Sequence, residues 1–197
     1  MHWTHEDEAA YRDDMFDLDR FIAECQAAIA TSSPAAAVRE LTRRAVAAPA
    51  AVEGVLGTPR RGGLFTLHHS PALTILNVVW TPGMAIYPHG HRMWTVIGLY
   101  GGREDNTFYR RGAPGLTVAG DRRLECSETA LLDEAVIHSV VNPLRSFTGA
   151  IHVYGGDFFG MPRSEWAPDT LEERPFDVER ARRAYALAND RCNMDTA

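Results

Sequence analysis

The chain has 197 residues, 45% of them hydrophobic, with 20 basic and 26 acidic side chains and a formal net charge of −6. Every basic side chain apart from histidine is an arginine, which excludes Schiff-base lysine chemistry, pyridoxal phosphate catalysis and a Walker-type phosphate loop. The acidic balance argues against a nucleic-acid footprint, the lack of an apolar run of about 18 residues excludes a membrane helix, and the first residues lack the layout of a signal peptide. Cys25, Cys126 and Cys192 are odd in number and widely spaced, a pattern expected of a reduced cytoplasmic protein rather than a disulfide framework.

In chain order, residues 1–56 read as a helical extension. Asp14 to Ala30 carries Phe16, Phe21, Ile22, Cys25 and Ile29 at helical spacing. Thr31-Ser32-Ser33-Pro34 breaks that helix and opens a second, from about Ala35 to Ala48, whose alanine-rich surface suits close packing against a core. After the turn-forming stretch Gly57–Gly63 the composition changes. Short runs rich in β-branched and aromatic residues follow, at Leu64–His68, Leu73–Trp80, Met93–Tyr100, Thr107–Arg110, Ala130–Leu132, Val136–Val141 and Ser146–Tyr154. Clusters such as Gly112-Ala113-Pro114-Gly115, Ala119-Gly120-Asp121 and Asn142-Pro143 punctuate them. Short strands at near-regular spacing with no helical insert predict an antiparallel sandwich or barrel over 57–163. Residues 164–197 form a C-terminal helical segment, opened by Pro175-Phe176-Asp177 and carrying Val178, Ala181, Tyr185 and Leu187 as its apolar positions.

Eight histidines are present. His89 and His91, two residues apart, share one face if they lie on a strand, and His138 lies in a later β-like run that a barrel can bring alongside. Three neutral imidazoles from two strands make a facial metal site with open positions, and such ligands suit Fe, Ni, Cu and Zn alike. Satisfied core histidines are the alternative, and a distant third strand histidine favours ligation. His68 and His69 are adjacent, point to opposite faces, and read as edge or surface polar residues, while His2 and His5 receive no role. Trp80, Tyr87, Trp94 and Phe108 read as core aromatics that can also shape a cavity, and Cys126 as a buried small apolar side chain. Glu104, Asp105, Asp133 and Glu134 are the candidate partners for the outer nitrogens of ligand histidines.

The segment Gly83-Met84-Ala85-Ile86-Tyr87-Pro88-His89-Gly90-His91, followed by Gly102, resembles the first cupin motif, G-x5-H-x-H-x3-4-E-x6-G. His138-Ser139-Val140-Val141-Asn142 resembles the H-x3-N ending of the second, although Ser127, Asp133 and Ala135 replace that motif's glycines and proline. Thr95 stands where most cupins place a fourth, glutamate ligand. A three-histidine cupin of this kind resembles the thiol dioxygenases, the group acting on cysteine and 3-mercaptopropionate, over about Leu64 to Arg163. The resemblance extends to Ala150-Ile151-His152-Val153-Tyr154, where the family carries Ser-x-His-x-Tyr. With Ala150 in place of the serine, the outer hydrogen bond of that relay is either missing or supplied from elsewhere, with Thr148 as one source.

Arg163, nine residues beyond Tyr154, resembles the arginine that holds the substrate carboxylate in the mercaptopropionate branch. An exposed, salt-bridged arginine is the competing reading. No arginine stands before the His89 strand where the cysteine branch has one, and Val96 occupies the place of a crosslinking cysteine. The resemblance implies a mainly β, cupin-type double-stranded β-helix barrel with N-terminal helices and a C-terminal helix. It implies Fe(II) on His89, His91 and His138, with Ni, Cu, Zn or Mn as other possible metals. Tyr154 and His152 become catalytic, Arg163 binds a small thiol carboxylic acid, and O2 is added to sulfur to give a sulfinic acid. Two other readings stay open: a three-histidine oxygenase cleaving a carbon–carbon bond of a diketone or small acid, and a non-catalytic small-molecule-binding cupin.

Overall fold

The structure, a computed structural model, describes residues 16–112 and 115–194. The sequence readings at His2 and His5, the helical reading of residues 1–15 and the Ala113-Pro114 turn lie outside the described residues. Three helices come first, α1 (Leu18–Ala28), α2 (Pro34–Val46) and α3 (Pro49–Leu56). Asp17 caps α1, its side chain accepting from the Arg20 N–H at 2.9 Å. Pro34 and Pro49 occupy the first turns of α2 and α3, where a missing N–H costs nothing. The sequence pattern runs α2 on to Ala48; Pro49 instead starts a new helix.

Eleven strands follow: β1 (Gly63–His69), β2 (Thr74–Trp80), β3 (Ala85–Gly90), β4 (Thr95–Gly101), β5 (Arg103–Gly112), β6 (Gly115–Glu125), β7 (Thr129–Leu132), β8 (Ile137–Val141), β9 (Thr148–Tyr154), β10 (Ser164–Trp166) and β11 (Glu173–Pro175). Helix α4 (Val178–Met194) ends the described chain. The strands form two antiparallel sheets, ordered β1-β2-β9-β4-β7 and β11-β10-β3-β8-β5-β6. The mainly β architecture with N-terminal helices and a C-terminal helix is therefore what the chain forms. Strand pairing continues past residue 163, because β10 pairs with β3, placing Glu165 opposite His89.

The five-stranded sheet explains why β2 and β9 are apolar throughout. Every residue of both strands is buried. Ile75, Ile151 and Val153 pack outward with Phe21, Cys25, Val38, Val46 and Val52 of the helices. Leu76, Val78, Trp80 and Tyr154 point inward, into a cluster shared with Met84, Ile86 and Val140 of the other sheet. Burial on both faces turns the usual alternation into a continuous run. Helix α2 crosses β4 at Gly98, where a β-carbon would lie 2.4 Å from the Thr42 methyl and 3.0 Å from a Val46 methyl. Glycine is required there by the approach of the helix, not by its backbone angles.

Some expectations change. Strand β6 escapes the pattern because most of it is exposed and it carries Arg122 and Arg123. The Ala119-Gly120-Asp121 stretch is no turn: it sits within β6 at an irregularity of the β5–β6 register. Cys126 is exposed rather than buried, whereas Cys25 is fully covered and its thiol is pushed up to about 12 by burial. In α4, Ala181, Tyr185 and Ala188 face inward and Leu187 is exposed. Helix α4 is tied at both ends of its buried face. Asn189 binds Gly62 N–H and C=O at 2.7 and 2.9 Å, and the buried Glu165 carboxylate accepts from Arg174, Arg180 and the Asp177 N–H.

Gly98→Ala is expected to force α2 off the sheet and to cost about 1–3 kcal/mol, as overpacking does, read as a lowered Tm. Gly101→Ala, whose β-carbon would meet nothing within 4 Å, is expected to leave Tm nearly unchanged.

Candidate metal centre

His89 is the penultimate residue of β3 and stands directly opposite His138 of β8 in the antiparallel register. His91 lies one residue past the end of β3, just before Arg92, which adopts a left-handed backbone at φ 57°. The strand thus stops between the two histidines, yet their rings still converge, with centroids 5.0 Å apart, and His138 lies 4.7 and 4.9 Å from them. The ligand atoms of these three residues all lie within 4.8 Å of one another.

The outer nitrogens decide the chemistry of the inner ones. His89 Nδ1–H donates to the Tyr87 carbonyl at 3.0 Å. His91 Nδ1 lies 2.8 Å from Thr95 Oγ1, and in the tautomer that bares Nε2 it donates to that oxygen while the Thr95 hydroxyl turns to the Met93 carbonyl at 3.5 Å. His138 Nδ1–H donates to Asn106 Oδ1 at 2.8 Å. With each proton held on Nδ1, each Nε2 presents a lone pair, and these meet at 3.1 Å (His89–His91) and 3.3 Å (His91–His138). In these tautomers the three nitrogens, so close together, have no donor among them. A cation relieves that repulsion, so the donor set fits a metal ion. Burial holds all three imidazoles neutral, His89 down to about 4 and the other two well below their ordinary value, their neighbouring histidines adding to the effect on His91 and His138.

The sequence placed Thr95 where a fourth ligand commonly stands; here it is fully buried and orients His91 instead. Of the four acidic candidates for outer partners, none holds a ligand histidine: Tyr87 O, Thr95 and Asn106 do. Asn106 was missed, although the inward alternation of Glu104, Asn106 and Phe108 on β5 carries the signal. Phe108 stacks over His138 at 6.3 Å and 12°.

The centre lies on the wall of a small cavity of about 40 Å³, otherwise lined mainly by apolar and aromatic side chains, among them Val78, Ile86, Val140 and Phe158. Where one water takes about 10–15 Å³, this is room for three or four. Tyr87 and Trp80 line it too, as do His152 and Tyr154 on β9; Phe176 and the α4 residues Ala181 and Tyr185 close it. The Tyr154 ring meets His91 edge-on, centroids 5.3 Å apart. Its hydroxyl lies 3.1 Å from His152 Nδ1, and burial pushes the phenol up, so it stays protonated.

Thr148 does not complete this relay; its hydroxyl is engaged with the backbone of Arg103. His152 Nε2 instead lies 3.3 Å from Oε1 of Glu104, which also accepts from the Trp80 indole at 2.7 Å. Glu104 is fully buried.

Arg163 is 6% exposed and pairs with no carboxylate in the described residues, which removes the exposed salt-bridge reading. Its guanidinium is sandwiched between Phe158 and Phe176, 4.4 and 3.8 Å from their centroids. Nη1 donates to the Phe158 and Met161 carbonyls, whereas Nε and Nη2 are buried without a partner. Burial lowers its pKa to about 10. Its charge bears on His89, His91 and Tyr154. His68 and His69 stand outside this group. His68 is half-buried with Nε2 unpartnered, and exposed His69 pairs with Asp157 at 2.8 Å.

No family model matches the chain. Among solved structures it is similar to an RmlC-like cupin family protein with a double-stranded β-helix fold from Methanocaldococcus jannaschii, at 10% identity and a TM-score of 0.42, over 51% of this chain and 84% of that one. It is also similar to a cupin 2 conserved barrel domain protein from Salinispora arenicola (20% identity, TM-score 0.36, 44% of this chain and 65% of that one). A third is KdgF from Halomonas sp. (18%, 0.40, 47% and 78%). Such identities concern the course of the chain and not its chemistry. The barrel architecture rests on the two antiparallel sheets and their pairing, and the three-histidine cluster is a candidate metal-binding site within it. Among the described residues no helix is long and apolar enough to cross a membrane.

Thr95→Val and Asn106→Leu, which release His91 and His138 from their acceptors, are each expected to weaken divalent metal binding about 10–100-fold. Competition with a chromogenic chelator measures this; unchanged affinity in both variants would mean that the cluster is not a metal site.

Proposed function

We propose that the protein is an iron(II)-dependent oxygenase of the thiol dioxygenase type, adding O2 to a small thiol carboxylic acid to give a sulfinic acid. The observation that carries this reading is the convergence of three imidazole nitrogens and a buried phenol on one small cavity, with a buried guanidinium whose Nε and Nη2 lack partners packed against Phe158 and Phe176 of its wall. His89, His91 and His138 would hold the metal. When bound, it supplies Lewis acidity toward a thiol and the redox capacity to activate O2, while three neutral ligands leave its charge available to anions.

The remaining steps belong to the chain. Arg163, held flat between Phe158 and Phe176, offers Nε and Nη2 to a carboxylate, a planar pairing that lysine cannot reproduce. Tyr154 places its hydroxyl at the wall beside His91, where it can hydrogen-bond the reacting group, and His152 holds that hydroxyl in place. The apolar walls exclude water, which strengthens each of these interactions. Their apolar character also favours a second reading, oxidative cleavage of a carbon–carbon bond in a compact diketone or small acid. A non-catalytic small-molecule-binding cupin is the third.

The test is oxygen uptake by protein reconstituted anaerobically with Fe(II), using thiols with and without a carboxylate and, separately, small diketones. Sulfinate formed from a carboxylate thiol, abolished in His89→Ala, supports the proposal. Uptake only with diketones selects the second reading, and none with any substrate leaves the third. Arg163→Met is expected to raise KM for the carboxylate thiol about 10–100-fold, the worth of a hydrogen bond to a charged group, with little change for a thiol lacking the carboxylate.

A further inference from the structure

Behind His152 and Trp80 of the cavity wall lies a buried carboxyl group that the proposed function does not use. Glu104 lies two residues before Asn106 on β5, so both side chains point into the barrel, one toward His152 and the other toward His138. Its start on β5 follows the Gly101-Gly102 turn, where Gly102 has φ 75° and packs against Thr148 so closely that a β-carbon would lie 2.2 Å from the Thr148 hydroxyl. Glu104 has no exposed surface, and Oε2 has no partner. Among the described residues no arginine pairs with it; its ionisable contact is His152. A carboxylate so placed costs free energy unless its bonds matter to the native state.

We propose that Glu104 is a positioning residue that fixes the proton of His152 on Nε2, and thereby turns the Tyr154 O–H toward His152 Nδ1 and its oxygen lone pairs toward the metal centre. The logic is one of donors and acceptors. The Trp80 indole can only donate, and its 2.7 Å contact identifies Glu104 Oε1 as the acceptor. The same oxygen faces His152 Nε2 at 3.3 Å, so that nitrogen carries the hydrogen. In the neutral ring His152 Nδ1 is then bare and accepts, and the donor within reach is the Tyr154 hydroxyl at 3.1 Å. The order Glu104, His152, Tyr154 has the same directionality as a carboxylate–imidazole–hydroxyl triad. Tyr154 is thereby an acceptor toward the cavity: it suits a ligand that brings a hydrogen, such as an S–H or O–H group, better than one that brings only lone pairs. The inference rests on the oxygenase reading for its kinetic consequence and stands without it for the tautomer.

The test has two arms. In metal-free protein labelled with 15N in the imidazole rings, with His152→Gln used to assign the signals, His152 is expected to show a protonated Nε2 and a bare Nδ1. Glu104→Gln is expected to remove that single tautomer while Tm shows the variant folded. A role confined to supporting Trp80 would leave the tautomer unmoved. A protonated Nδ1 in the unaltered protein, or the same tautomer in Glu104→Gln, overturns the proposal; should the variant not fold, the spectrum of the unaltered protein decides alone. In the second arm, iron-loaded Glu104→Gln is expected to lose about tenfold or more in kcat, the usual scale for such partners, with KM within about twofold; an unchanged kcat overturns the kinetic part. If the unaltered enzyme oxidises no thiol, the proposed function fails while the spectra still decide the role of Glu104.

Discussion

A buried imidazole has two nitrogens and must satisfy both, and this requirement organises the barrel interior. His89, His91 and His138 each donate outward from Nδ1, to a carbonyl, a threonine and an asparagine. Those acceptors turn three lone pairs toward one point. His152 is arranged the other way round, with Nδ1 aimed at Tyr154 and Nε2 at a carboxylate. The same side chain thus turns a different nitrogen toward the interior according to which one the surrounding strands engage. The strands that supply these partners are as much part of the centre as those that carry the rings.

That arrangement depends on rigidity from two sources. Neighbouring strands β3 and β8 of the six-stranded sheet fix His89 opposite His138 through backbone pairing. The helical layers then cover what would otherwise be exposed: α1–α3 lie on the outer side of the five-stranded sheet, and α4 closes the cavity from the other end. Both closures are polar at their edges and apolar at their centres. Tyr185 stacks near Trp80 at 5.5 Å while Glu165 and its two arginines hold the segment leading into α4. The chain's exclusive use of arginine suits such sites, since a guanidinium can lie flat on a ring and still donate, as Arg163 does between two phenylalanines.

Much of this was legible in the sequence, and the omissions have physical causes. Hydrophobic runs located β2, β4, β7, β8 and β9 because they are buried on at least one face, and β1 because it is half-buried along its length. Histidine spacing brought out the three that converge. Strand β6 was hidden because its pairing with β5 is made by backbone groups while its side chains face solvent. The third N-terminal helix was hidden because alanines on both sides of Pro49 keep the helical pattern continuous. Asn106 and Glu104 were invisible as partners of particular rings, since their roles depend on β5 lying beside β8 and beneath β9, an adjacency that no local pattern states. The burial of Arg163 follows from Phe158 and Phe176 arriving from opposite sides in sequence.

Strand β9 is covered on both faces, and this has a consequence for how the protein can change. Its odd-numbered residues, Ile151 and Val153, answer to the helices; its even-numbered ones, Ala150, His152 and Tyr154, answer to the interior. One stretch of backbone therefore carries two independent specifications, interleaved residue by residue. Substitutions at 151 or 153 act on the seam between sheet and helices, those at 152 or 154 on the chemistry. New reactivity can be tried on the inner side of β9 without disturbing the packing that keeps the helices on the barrel.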